Sequence, residues 1–181
     1  MFYEKYISVL TIDLGTGKVD LQKREDLYEY LGGVGVASKL LEEHMKPDLD
    51  LLDPSQPIVF AIGGMTTVYP VVTKTVAMFQ SPLTGELGES YAGGRLAMTM
   101  MMAGYDAIVI TGKAKEQSYL SVSRNDVQVK DARAIWGAPT EEVGRVLRER
   151  ETGSGKRSIL RIGTAGENLV KYAGIVNDKG S

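Results

Sequence analysis

The chain has 181 residues, 43% of them hydrophobic and 24% charged, with a formal net charge of −2. This is the composition of a folded domain with its own core, and it excludes a disordered segment and the strongly basic footprint of a nucleic-acid binder. With no cysteine and one histidine, the chain has no disulfides, thiolate nucleophiles, cysteine-held zinc or iron-sulfur clusters, or multi-histidine metal sites.

Met1 to Tyr6 lacks the charged lead and apolar run of a signal peptide. No apolar run approaches the ~20 residues that span a bilayer. The expectation is a cytoplasmic protein with no membrane and no nucleic-acid partner. Ile7, Val9, Leu10, Ile12 and Leu14, then Val19 and Leu21 beyond Gly15-Thr16-Gly17, predict a β-hairpin. From Gly35, Val36, Ala37, Leu40, Leu41 and Met45 recur at helical spacing and stop before Pro47. Ile58 to Ile62 is an apolar run closed by Gly63-Gly64, predicting a buried strand. A second strand is expected from Lys74 to Gln80, and a turn at Ser81-Pro82-Leu83-Thr84-Gly85.

Gly88 to Arg95 reads as a glycine-rich loop opening a helix from Leu96 to Met102. Ala107 to Ile110 is another buried strand. Tyr119 to Val122 and Val127 to Val129 form a second hairpin. A helix follows Pro139, with Val143, Val146 and Leu147 on one face and Gly153 past its end. Strands are expected at Ser158 to Ile162 and Lys171 to Val176. The order hairpin, helix, strand, strand thus occurs twice, as an internal duplication would produce; an ordinary α+β domain built of hairpins and helices is the alternative.

Gly88 to Arg95 carries the strongest local chemistry. Free N–H groups at a helix start, glycines that admit close approach and an arginine fork suit an anion. The alternative is a tight turn beside a solvated arginine. Gly32-Gly33-Val34-Gly35 approaches a dinucleotide fingerprint, but Ser38 stands in place of the third glycine and no strand precedes it. A structural helix junction is the better reading. Met98, Met100, Met101 and Met102 read as helix packing, His44 as a helix-end residue, Glu89 and Glu167 as capping or loop acceptors, and Trp136 as an anchor of the second helix.

Taken together, several ordered motifs resemble the N-terminal domain of the tungsten-containing aldehyde:ferredoxin oxidoreductase family. They are Tyr30 to Gly35, Lys74-Thr75 ahead of Ser81 to Gly85, Gly88 to Arg95, Ala103 to Ala114, and Ile162 to Val170. The resemblance implies an α+β fold of two pseudo-symmetric strand-rich repeats with packed helices. Residues 1–181 would be one domain cradling a metal-pterin cofactor, with repeats at about 6–80 and 119–177. It would be a fragment or subunit lacking downstream domains.

The implied function is cofactor binding in an oxidoreductase that converts aldehydes to carboxylic acids and passes electrons to ferredoxin. Tungsten or molybdenum would be held by two pterins and by no protein side chain, with magnesium bridging the pterin phosphates, reached here through the Tyr91 backbone. The [4Fe-4S] cluster would lie in the missing domains. The resemblance places cofactor contacts on Lys74, Tyr91, Ala92, Gly93, Gly94 and Arg95, with no catalytic residue in this chain. Partners would be downstream catalytic domains or a separate subunit, ferredoxin, and a further copy if the enzyme is a homo-oligomer. Three positions depart from the family pattern: Tyr91 stands where asparagine is common, Lys74 where arginine is usual, and Thr164 where proline is usual. A non-catalytic binding or assembly module of the same fold, and a phosphate- or nucleotide-binding domain, are the other readings.

Overall fold

A computed structural model describes residues 5–151 and 155–178. Its centre is a six-stranded sheet in the order β2-β1-β6-β3-β4-β5. The strands are β1 (Ile7–Asp13), β2 (Lys18–Arg24), β3 (Ile58–Ile62), β4 (Thr75–Gln80), β5 (Leu87–Ala92) and β6 (Ala107–Thr111). Only β1 and β6 run parallel; the other neighbours are antiparallel. Helices cover both faces of this mixed sheet, so the fold is α+β.

Alternation along the strands decides which helix each residue meets. Ile7, Val9, Val59, Ala61, Val76, Met78, Ala107 and Val109 point to one face, where they pack with Val36, Ala37, Leu40 and Leu41 of α1 (Gly33–His44). The apolar residues predicted at helical spacing are thus the buried stripe of α1, each large one contributing roughly 1.5–3 kcal/mol. Phe60 and Ile62 point the other way, onto Leu96, Ala97 and Met100 of α2 (Leu96–Ala103). Leu10 and Ile12 share that second face and meet Tyr105, Leu120 and Val127.

The rest of the chain packs through this second face. It holds the hairpin β7 (Ser118–Val122) and β8 (Val127–Asp131), helix α3 (Thr140–Arg150), the short pair β9 (Leu160–Arg161) and β10 (Val176–Asn177), and the single helical turn α4 (Thr164–Glu167). Val143 and Leu147 of α3 pack with Ala132 and Ile135 in a small cluster, and Val146 and Ile159 lie against it. Gly153, expected past the end of α3, lies outside the described residues.

Three predicted elements differ. Residues 88–92 are an edge strand rather than a loop: β5 pairs with β4 from Leu87↔Gln80 to Ala92↔Thr75. Gly88 sits in it because the Phe79 ring covers it; a Cβ there would lie 2.6 Å from ring Cε2. The strands expected at 158–162 and 171–176 shrink to two residues each. Residues between them are used in α4 and in turns closed by Val170 N–H to the Ala165 carbonyl and Ala173 N–H to the Val170 carbonyl. Finally, Ile135 rather than Trp136 anchors α3, since Trp136 is 37% exposed while Ile135 lies in the cluster. Among the described residues no helix is long and apolar enough to cross a membrane.

Candidate functional site

One end of the sheet gathers the residues singled out in the sequence. There β3 ends, β4 begins and β5 ends, while α1 and α2 both begin. Gly32 and Gly63 form a bridge that joins the entry to α1 to the end of β3. Gly32 has φ +96°, and a Cβ on Gly35 would lie 2.5 Å from the Tyr30 carbonyl oxygen. Gly32 and Gly35 are thus used for close packing at a helix junction, the structural role expected from the sequence.

The register of β4 and β5 pairs Thr75 with Ala92, so Lys74 emerges beside Gly93. A Cβ on Gly93 would sit 3.6 Å from the Lys74 ammonium nitrogen. Gly94 follows in the left-handed region at φ +80°, where a side chain is strained. Arg95 then caps α2, with its side chain 48% exposed. Lys74, Gly93, Gly94 and Arg95 therefore converge, and two cations flank a Gly-Gly turn on which Asp178 and Asn177 pack, 3.1 and 3.5 Å from where a Gly94 Cβ would stand. Ala92 packs toward α2. Tyr91 is exposed on the edge strand and its hydroxyl donates to Glu89 Oε2 at 3.3 Å. Partial desolvation, then the Glu89 carboxylate, raises the Tyr91 phenol above its ordinary value of 10.0.

Two residues here escaped the sequence reading. Asn177 Nδ2 donates to the Gly93 carbonyl at 2.6 Å, and the Arg95 N–H donates to Asp178 Oδ2 at 3.1 Å. Asp178 Oδ2 is also 4.0 Å from Arg95 Nε. The Arg95 amide at the start of α2 is thus occupied by an internal carboxylate. Local sequence held no sign of this contact, because β10 is too short to show a periodicity. The cations left for an external anion are the Lys74 ammonium and the outward part of the Arg95 guanidinium.

The other candidates have structural uses. His44 Nδ1 lies 2.9 Å from the Leu40 carbonyl on α1, and Glu167 Oε2 accepts the Gly137 N–H at 2.8 Å. Met100 is buried against Phe60 and Ile62. Among the described residues no group of three or more His, Asp or Glu is arranged to hold a metal ion. The loop from 63 to 74 adds an apolar rim of exposed Met65, Val68, Tyr69 and Val71. Val71 is 92% exposed at φ +63°, an unusual conformation for a β-branched residue. Two grooves at the far corner are lined by charges of both signs, Asp13, Asp20 and Glu43 with Lys18 and Arg24 in one, Asp13, Glu43 and Asp53 with Lys46 and Lys113 in the other.

At Gly93 a Cβ would stand 3.6 Å from the Lys74 ammonium nitrogen, and lysine and arginine are the residue types that supply charge-assisted donors to an anion. Comparison with known proteins bears on what would use them. Residues 9–181 match the family model described as "Aldehyde ferredoxin oxidoreductase, N-terminal domain". The chain is 35% identical over 179 residues to the tungsten-containing aldehyde ferredoxin oxidoreductase of Pyrococcus furiosus, covering 97% of this chain and 29% of that protein. The enzyme of the same name from Thermococcus kodakarensis is 34% identical, with the same coverage. An aliphatic sulfonate oxidoreductase, WOR-like subunit, of Pyrococcus furiosus is 29% identical over 93% of this chain and 29% of its own length. Among solved structures, the active site complex BamBC of benzoyl coenzyme A reductase, in complex with 1,5-dienoyl-CoA, superposes with a TM-score of 0.87. It is 30% identical and covers 94% of this chain and 26% of its own. The chain thus spans 29% of the length of these curated relatives.

Proposed function

Because the chain belongs to the aldehyde ferredoxin oxidoreductase family and matches its N-terminal domain, we propose that it holds the pterin cofactor of a tungsten or molybdenum oxidoreductase. The observation that carries the reading is the Lys74 ammonium set against the bare face of Gly93, with Arg95 opening α2 beside it. Lys74 and the Arg95 guanidinium neutralise a pterin phosphate. The missing side chain of Gly93 lets it approach the backbone, and Tyr91 closes the edge-strand side. A magnesium ion accompanying the phosphates would be held through the Tyr91 backbone carbonyl. The bound cofactor supplies the two-electron redox centre.

The whole enzyme oxidises an aldehyde to a carboxylic acid with ferredoxin as acceptor, in the cytoplasm. Its [4Fe-4S] cluster is held outside this cysteine-free chain, by further domains or another subunit. The apolar rim of Met65, Val68, Tyr69 and Val71 supports such company, because contiguous exposed apolar surface marks an interaction face. The recurrence of hairpin, helix and strand pair supports two ancestral repeats.

A second reading keeps the cofactor and changes the substrate. It is favoured by the sulfonate oxidoreductase and the benzoyl coenzyme A reductase complex among the similar proteins.

Gly93→Val in the native protein tests the cofactor assignment, because it puts a branched side chain where the phosphate would meet Lys74. The purified variant is expected to keep its circular dichroism spectrum while losing tungsten, by elemental analysis, and pterin, by fluorescence after oxidative release. Full retention of both would overturn the assignment.

A further inference from the structure

The turn at Gly94 is shaped from the other half of the molecule. Asn177 Nδ2 takes the Gly93 carbonyl and Asp178 Oδ2 takes the Arg95 N–H. These two groups belong to the peptide planes on either side of Gly94, the residue with φ +80°. Glycine is the residue whose backbone ranges most widely when unrestrained. Pinning both flanking peptides removes that freedom at the point where the phosphate approaches.

The clamp is itself held. Asp178 Oδ1 accepts the Ile159 N–H at 3.2 Å, the Asp178 N–H donates to the Ile159 carbonyl at 2.9 Å, and Ser158 Oγ donates to Asn177 Oδ1 at 3.0 Å. Both Asp178 oxygens therefore accept an N–H, one from β5–α2 and one from the segment leading into β9. Only a carboxylate can do this; an amide would turn its NH2 toward one of the two donors. Likewise Asn177 is read at both ends of its amide, one atom donating and one accepting.

We propose that Asn177 and Asp178 are positioning residues of the cofactor cradle, fixing the Gly93–Arg95 turn in its phosphate-receiving shape before the ligand arrives. This rests on the reading of that turn as a phosphate cradle. Asp178 has two opposed effects. Its negative charge disfavours a nearby anion, while its hydrogen bonds preorganise the donors that receive one. Geometry is taken as the larger effect, because both carboxylate oxygens are used as acceptors.

Isosteric substitutions weigh the two effects against each other. In the 181-residue chain, inorganic pyrophosphate is titrated while the amide resonances of Gly93, Gly94 and Arg95 are followed, well below the melting temperature. Asp178→Asn removes the charge but turns an NH2 toward one of the two N–H donors, so the sign of its effect shows which of the two effects is larger. Asn177→Asp turns the donor that faces the Gly93 carbonyl into an acceptor. Both are expected to weaken pyrophosphate about tenfold, as loss of one charged hydrogen bond would. In the free protein, both should shift the three amides and speed their hydrogen exchange, with circular dichroism unchanged. Asp178→Ala should do the same.

If Asp178→Asn binds as tightly as the unaltered chain or tighter, charge repulsion outweighs positioning and the proposal fails. It also fails if the free-protein amides of Gly93 to Arg95 do not respond to any of the three substitutions. The cradle reading is tested separately. Lys74→Met is expected to abolish the pyrophosphate response, and an unaltered chain whose amides ignore pyrophosphate would refute the cradle while leaving the clamp to be judged on hydrogen exchange.

Discussion

Arg161 lies on β9 facing α3, 4% exposed, and its Nε has no hydrogen-bond partner among the described residues. Its guanidinium lies against Gly144, where a Cβ would collide with Nη1. A glycine inside an exposed helix costs about 1 kcal/mol relative to alanine, so its presence in α3 reflects the space the arginine occupies. Gly144→Ala is therefore expected to destabilise the chain by roughly 1–3 kcal/mol, as overpacking does, despite its better propensity. Arg161→Met removes a buried charge without a described partner and should raise stability by about 1 kcal/mol or more. Guanidinium denaturation measures both; a loss on Arg161→Met would show that the arginine has a counter-ion in solution. Neither Gly144 nor Arg161 stood out in the sequence. A glycine and an arginine on amphipathic elements look ordinary until packing brings them together.

The hairpin β7–β8 is tied to the end of α3 by Glu151. Its carboxylate pairs with Lys130 Nζ at 2.8 Å and accepts from Tyr119 Oη at 2.6 Å and Ser121 Oγ at 3.3 Å. Lys130 first, then Tyr119, holds the Glu151 carboxyl below its ordinary 4.5. Burial first, then Glu151, pushes the Tyr119 phenol up to about 12. The lowered carboxyl stabilises the fold fully above pH 4.5, and the contribution is lost as pH falls through the lower folded value. The raised phenol contributes fully below pH 10 and is lost as pH climbs toward 12. Glu151→Gln should cost about 1 kcal/mol at neutral pH. It should also flatten the acid limb of the thermal stability profile, which scanning calorimetry across pH would show; an unchanged acid limb would mean that the pair is not formed.

Elements with a clear hydrophobic period were legible in the sequence: the first hairpin, α1, β3, β4, α2, β6, the second hairpin and α3. β5 was not, because Gly88 and Ser90 replace the apolar residues an inward strand face usually shows, and a phenyl ring from the neighbouring strand supplies the missing bulk. The turn at Gly93-Gly94-Arg95 was readable from its residues, since the chemistry is local. Its partners Asn177 and Asp178 were not, because only the tertiary fold brings them near.

At the scale of the molecule, the chain spans 29% of the length of its curated relatives and contains no cysteine. On its own it is expected to fold, yet to show no aldehyde-dependent reduction of a viologen dye. The electron path proposed for the whole enzyme runs through a cluster whose cysteine ligands this chain does not contain. Turnover by the purified 181-residue chain would refute this. The two repeats proposed for the fold sit differently. The first hairpin joins the central sheet, whereas β7–β8 stands as a separate two-stranded sheet. What the fold positions most firmly is one sheet end, where a lysine, two glycines and an arginine meet. The measurement that tests their role most directly is an experimental structure of the native protein with its cofactor bound. A pterin phosphate should lie about 3 Å from Lys74 Nζ and from a backbone N–H of the Gly93-Gly94 turn, with the Arg95 guanidinium in hydrogen-bonding reach. Phosphates bound out of reach of all three, whether along α1 or at the corner of Asp13 and Glu43, would contradict the assignment.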